Sequence, residues 1–330
     1  MALIRELVTI VSATPPVRSL GALVRRRLRK WPGLDGYEKK ATSKFIGLFA
    51  IGERSTIAIL RNGIKVRVNT DDLVGRVLYA MGDYQPRVSW VIRQLLAPGD
   101  IVLDIGANVG WFVGTAAPLV GPTGRVVAFE PQPAIAAMLR ETIAINGLDH
   151  VELHQVALSD KDGEATFHVM KGNSGAARLG GASFEGDWAP LTVQTRNAAE
   201  VLAELRLGPV RMIKIDVEGH EETVIRASQS YLDRNPPDIV LFESLFERQT
   251  FYERPLVRLL RSMGYRFFEF EPARLEVRLR EVPADGGGTG FSNDFVALRE
   301  GDRFEADLRR LGLGSAALAR PAGSTSGNIE

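Results

Sequence analysis

The sequence contains no cysteine, which excludes a disulfide framework, a thiolate metal site and a cysteine nucleophile. It also lacks an excess of charge of either sign. With 41 Lys+Arg against 40 Asp+Glu the formal net charge is +1, so nothing global recruits nucleic acid, and no nucleic-acid partner is expected. Long apolar runs are missing as well: Leu7 to Ala13 is too short to span a bilayer, and the basic cluster follows it rather than preceding it as in a signal peptide. No export signal and no transmembrane helix are read, and a cytoplasmic protein is expected. What is present is a chain of 330 residues with 45% apolar content, enough to bury the core of one large α/β domain with extensions.

Four stretches follow one another. Residues 1–45 gather Arg18, Arg25, Arg26, Arg27, Arg29 and Lys30 beside Leu20, Leu23, Val24 and Leu28, a basic helical extension. It reads either as a solvated face or as a peripheral contact with an anionic membrane surface or partner. Residues 46–97 hold a lead-in hairpin, with apolar runs either side of Arg61-Asn62-Gly63, and a helix over Val88 to Leu96. Residues 98–300 are expected to form the main domain. There, apolar strands at Ile101–Ile105, Arg125–Phe129, Val151–Ala157, Met212–Val217, Asp238–Phe242, Tyr265–Phe270 and Phe295–Leu298 alternate with helical patterns at Trp111–Val120, Ala134–Asn146, Glu221–Arg234 and Arg254–Met263. Such alternation argues for a mostly parallel sheet covered on both faces, with the last two strands antiparallel at one edge. A hairpin around Ser159 to Val169 and a glycine-rich loop from Gly172 to Gly186, a lid or a connector, interrupt the pattern. Residues 301–330 read as a tail, partly disordered.

The most informative segment is Leu103-Asp104-Ile105-Gly106-Ala107-Asn108-Val109-Gly110, where a buried strand ends in a glycine turn that opens a helix. Glycines 106 and 110 let the backbone pass close to a ligand, and the free N–H groups of the helix start face it. A dinucleotide-binding turn is the nearest relative, but Asp104 would repel a pyrophosphate, whereas it can hydrogen-bond an ammonium directly or through water. Glu130, before Pro131 at the end of the second apolar strand, stands where a doubly wound fold places a carboxylate for ribose hydroxyls. The pair favours a cationic, phosphate-free nucleoside.

These residues, with Ala128-Phe129-Glu130-Pro131, Ala157-Leu158-Ser159-Asp160 and Ile213-Lys214-Ile215-Asp216-Val217-Glu218-Gly219, resemble the FkbM family of S-adenosylmethionine-dependent methyltransferases. The resemblance covers roughly residues 73–298. It implies a Rossmann-like class I methyltransferase fold, α/β with a mostly parallel doubly wound sheet and an antiparallel edge strand, and O-methylation of a hydroxyl on a small molecule, sugar or glycan. Carried over, it implies that Asp104, Gly106, Asn108 and Gly110 line the amino-acid end of S-adenosylmethionine, that Glu130 holds its ribose, and that residues near Ala157 and Asp160 approach its adenine.

Asp216, Glu218 and Glu221 follow the fourth apolar strand, at the carboxyl edge where open α/β sheets place ligands; capping of the next helix is the alternative. His220 is a candidate general base or an exposed helix-start residue. Asp216, Glu218 and His220 are the catalytic candidates. Glu243, ending the fifth strand, is a candidate for substrate contact or for an all-oxygen divalent-cation site with Asp216 and Glu218, and no metal is assigned. His150, His154 and His168 lack ligand-like spacing and read as structural. Two other functions stay open, an NAD-dependent oxidoreductase and an inactive nucleoside-binding module. Acceptor and oligomeric state have no readable code in the chain.

Overall fold

The computed structural model describes residues 55–179, 188–244, 248–272, 276–286 and 292–313. The basic N-terminal extension and the end of the tail lie outside them. The chain enters as a hairpin, β1 (Ser55–Ile59) and β2 (Lys65–Asn69), turning at Arg61-Asn62-Gly63 as the Asn-Gly signal requires. Helix α1 (Leu73–Met81) follows, its N-terminus capped by Asp72, whose carboxylate accepts from Val74 and Gly75 N–H. Nothing in the apolar spacing had marked α1. Helix α2 (Pro86–Leu95) starts on a proline, which has no N–H to lose at that position.

The main sheet then begins: β3 (Ile101–Ile105), helix α3 (Trp111–Val120), β4 (Arg125–Phe129), helix α4 (Pro133–Asn146) and β5 (Val151–His154). The expected strand Val151–Ala157 breaks here. Residues 157–159 leave the sheet as β6 (Ala157–Ser159) and build a second sheet with β7 (Gly163–Met170), β8 (Asn173–Leu179) and β9 (Trp188–Asn197), in the order β6-β9-β7-β8. The first half of the expected glycine-rich loop is therefore a strand, since β8 finds a partner in β7; residues 180–187 lie outside the described residues.

After helix α5 (Ala198–Glu204) the chain returns to the main sheet with β10 (Val210–Ile215) and β11 (Ile239–Glu243). The helix expected over Glu221–Arg234 splits into α6 (Glu221–Ala227) and α7 (Gln229–Leu232). The break falls at Ser228, whose hydroxyl donates back to Val224 O at 2.7 Å, an alternative to the helical ladder that bends the backbone. Helix α8 (Pro255–Ser262), β12 (Tyr265–Phe270), β13 (Leu279–Glu281), β14 (Asp294–Arg299) and helix α9 (Phe304–Arg310) follow within the described residues.

The eight strands of this sheet run β13-β12-β14-β11-β10-β3-β4-β5. β3, β4, β5, β10 and β11 are mutually parallel; β14 lies antiparallel between β11 and β12, with β13 at the edge. The fold is the expected α/β arrangement, a mostly parallel, doubly wound Rossmann-like sheet with antiparallel strands at one side. The last strand slots inside its neighbour, and the edge goes to β13, which the sequence pattern did not reveal. Cores form on both faces. Val102, Val126, Met212 and Ile92 pack on one, Leu103, Val127, Ile213 and Val240 on the other, as the two-residue period of strands dictates.

At the β10 entrance, where the register slips between Val210 and Met212, Arg211 is buried and ties three elements together. Its guanidinium donates to Asp238 at 3.0 Å, to Asp307 on α9 and to Leu95 O at 3.2 Å. Phe304, Leu308 and Leu311 join the core beside it, so the start of the expected tail is part of the domain. Arg211→Met leaves Asp307 buried without its cation and is expected to destabilise by about 3–5 kcal/mol, read as a lower urea midpoint; Arg211→Met with Asp307→Leu is expected to recover part of it.

Candidate active site

The chain leaves β3 for β4 and β5 on one side, then returns to β10 and β11 on the other, so the strand order reverses between β3 and β10. The crevice beyond these strand ends is the natural ligand position of such a fold. A cavity of about 660 Å³ opens there, of the size that takes a small ligand.

Its floor is the glycine turn. Gly106, at φ +86°, passes so close to the end of β10 that an added Cβ would lie 2.0 Å from Asp216 O, and at Gly110 one would lie 2.4 Å from Leu139 Cδ1. Gly106 therefore serves the approach of two strand ends, and Gly110, absent from the cavity wall, serves helix packing. Asn108 adopts φ +47° and lines the cavity. The Glu130 carboxylate bridges this turn to its own strand: Oε2 accepts from Asn108 N–H and Oε1 from Gln132 N–H, both at 2.9 Å. Burial pushes the Glu130 carboxyl up to about 7, although these two donors pull the other way.

Asp104 is fully buried and does not line the cavity. This corrects the expectation that it meets a ligand as part of the turn; the pleat turns its side chain onto the face where Val102 packs. Beside it on the parallel neighbour stands Lys214, which does line the cavity. The ammonium lies 3.5 Å from Asp104 Oδ1 and 3.4 Å from Asp216 Oδ2, and donates to Gly106 O at 3.2 Å. Desolvation works against the Lys214 charge, but Asp216 and Asp104 outweigh it and hold its pKa above the ordinary lysine value. Burial raises the Asp104 carboxyl to about 6 even with Lys214 opposing.

At the carboxyl edge Asp216, Glu218 and Glu243 converge, each offering an oxygen within 4.8 Å of the others. Glu218 reaches this position with φ +53°, a conformation that costs a non-glycine residue about 1 kcal/mol. Glu221 is the capping residue of the group, accepting from Val217 and Gly219 N–H. His220 lines the cavity, and its Nε2 lies 3.1 Å from Ser159 Oγ. Burial lowers its pKa, with Asp160 opposing, so the ring is neutral at neutral pH. Asp160 itself is exposed and outside the cavity, accepting from Ser159 Oγ, whereas its neighbours Ala157 and Leu158 do line it. Among the remaining histidines, His150 Nε2 contacts Ala117 O at 2.9 Å and His154 stacks on Phe129.

Sequence reasoning missed the other walls. Trp111, the first residue of α3, packs edge-on to Tyr84, and its indole N–H donates to buried Asp83 at 2.8 Å. Ser174 on β8 is held by the Asp72 cap, accepts from Asn108 Nδ2 at 3.3 Å, and its carbonyl accepts from Gln132. The second sheet is thus clasped onto the glycine turn. Lys214 did carry a signal, being the lone ammonium inside an otherwise apolar strand end.

Glu130 binds its proton more readily folded than unfolded, so its contribution to stability falls as pH rises from about 4.5 to about 7. The unfolding free energy of the wild type relative to Glu130→Gln is expected to drop across that window in urea melts. A difference independent of pH would overturn the raised pKa.

Residues 104–267 match the family model described as the Methyltransferase FkbM domain. The chain is similar to the 2-O-methyltransferase NoeI of Sinorhizobium fredii, 31% identical over 157 residues, which is 44% of this chain and 63% of that protein. It is likewise similar to the 31-O-demethyl-FK506 methyltransferase FkbM of Streptomyces tacrolimicus, 32% identical over 157 residues, 39% of this chain and 60% of that protein. The chain thus spans somewhat under two thirds of the length of these relatives. Among solved structures it is similar to a SAM-dependent O-methyltransferase of Thermotoga maritima, at 15% identity and TM-score 0.39, covering 78% of this chain and 82% of that one. Over residues 104–267, just under half of its length, the chain thus matches the FkbM methyltransferase domain.

Proposed function

We propose that this chain is an S-adenosylmethionine-dependent methyltransferase acting on a hydroxyl of a small molecule, sugar or glycan. One observation carries the reading: the cavity at the strand-order reversal is walled by Glu130, Asp216, Glu218, Glu243 and Asp294, against Lys214 and Arg87 as its cations. A predominantly acidic wall fits a cationic nucleoside and opposes a pyrophosphate. The Asn108 N–H of the glycine turn, the group a dinucleotide would use, is already engaged by the Glu130 carboxylate. That disfavours the oxidoreductase alternative. The names of the two relatives, a 2-O-methyltransferase and a 31-O-demethyl-FK506 methyltransferase, favour oxygen as the acceptor atom.

S-adenosylmethionine, when bound, supplies a methyl group on a positively charged sulfur. The chain's own part is alignment and proton removal. Asn108 and the Gly106 turn hold the amino-acid end, Glu130 the ribose, and the wall around Ala157 and Leu158 the adenine. Asp216, Glu218 and His220 face the acceptor hydroxyl. Asp216, tied to Lys214, would orient it, and Glu218 or neutral His220 would take its proton as the methyl carbon bonds to the hydroxyl oxygen and its bond to sulfur breaks, leaving the neutral thioether S-adenosylhomocysteine. Glu243 contacts the remainder of the acceptor. No divalent ion is assigned to the three carboxylates, because the Lys214 ammonium already balances Asp216.

No described helix is long and apolar enough to cross a membrane, and the expected acceptor is a small molecule or sugar. Calorimetric titration with S-adenosylhomocysteine is expected to give saturable binding, weakened about tenfold or more by Glu130→Ala, the loss of a charge-assisted hydrogen bond. Labelled methyl from S-adenosylmethionine is expected to reach a member of a panel of hydroxylated acceptors. Binding of NADH in place of S-adenosylhomocysteine would sink the reading.

A further inference from the structure

We propose that Lys214 is the positioning residue of the cofactor site and that Asp104, the acidic residue of the glycine-turn motif, acts on the ligand only through it. The inference rests on the cofactor reading above and concerns which residue of the motif meets the ligand.

In-register pairing of β10 with β3 sets Lys214 directly beside Asp104. Neighbours in register on parallel strands project to the same side, so these side chains meet on one face. Asp104 is 0% exposed, and neither of its oxygens has a hydrogen-bond partner among the described residues. Its one compensating charge is the ammonium 3.5 Å away. Lys214, in contrast, reaches the cavity wall. From there it also holds the carbonyl of Gly106 and the carboxylate of Asp216, the two groups whose backbones approach so closely that no Cβ fits between them.

A lysine in this place has a defined physical task. Burying a lone carboxylate is costly, and the group then takes up a proton rather than stay charged. Lys214 keeps the Asp104 site polar and spends its remaining donors on the two walls that a ligand touches. Asp104 in turn fixes the ammonium from behind.

The test is a double-mutant cycle of S-adenosylhomocysteine affinity, measured by calorimetry on the full chain with melting temperatures recorded. Lys214→Met is expected to weaken binding at least tenfold, and Asp104→Asn about fivefold in the wild-type background. In the Lys214→Met background, Asp104→Asn is expected to change affinity less than twofold, because the route by which Asp104 acts has gone. Lys214→Arg, which keeps the cation, is expected to recover part of the binding lost in Lys214→Met at an unchanged melting temperature. Equal losses from Asp104→Asn in both backgrounds would mean direct contact and overturn the inference alone. Failure of the wild type to bind S-adenosylhomocysteine would instead remove the cofactor reading, and this inference with it. Should Lys214→Met not fold, the crystal structure of the wild-type complex decides. Lys214 placed between ligand and Asp104 supports the inference, and a ligand atom within about 3.5 Å of the Asp104 carboxylate contradicts it.

Discussion

A single ammonium, buried where two parallel strands end, constrains the rest of the site. Lys214 faces Asp104 and Asp216 at ion-pair distance and donates to the Gly106 carbonyl. Because the carboxylate behind it is wholly buried, β3 and β10 cannot slide past one another without separating charges in a medium that screens them poorly. The glycine turn, the Asn108 N–H it offers and the carboxylate that meets it from β4 all take their positions from that fixed strand pair. The acidic edge begins two residues beyond the lysine. A cavity of mixed polarity is held in this way by a charge that was never free to move.

The Glu130 carboxylate is the second constraint. By accepting from Asn108 and Gln132 N–H it closes the turn after β3 onto the turn after β4, across strands paired in register. Ser174, held by Asp72, then reaches the same turn from above. Floor, side and roof of the cavity thus share Asn108.

Much of this was legible in the chain. The apolar runs located seven of the eight strands of the main sheet, all but the edge strand β13, to within two or three residues, because strands buried on both faces must be nearly continuous in apolar residues. Gly106 and Asn108 of the turn, Glu130, and the cluster Asp216, Glu218, His220 and Glu243 all stand at one cavity as residue types at strand ends suggested; Asp104, Gly110 and Asp160 do not. Residue type alone could not show that Asp104 points away from the cavity, since that follows from the pleat and from Lys214 beside it. Nor could it show the second sheet. The hairpin read around Ser159 to Val169 did mark β7, but β6 pairs with β9 instead of β7; β9 carries half-exposed, mixed positions and β8 is rich in small residues, so neither alternation nor apolarity marked those two. Helix α1 and Trp111 were missed for a related reason: their role depends on partners far away in the chain, Ser174 and Asp83 among them.

The pairing of β3 with β10 joins residues 101–105 to residues 210–215, with more than a hundred residues between Gly106 and Lys214. Everything from β4 to α5 must be synthesised before the centre of the sheet can close. During translation Asp104 therefore waits, without its cation, on a strand whose other neighbour is already present. Non-local parallel pairing is slow, and an emerging half-sheet exposes an apolar edge in the meantime. The same contact that makes the finished site rigid sets the moment, late in synthesis, before which the protein has no site at all.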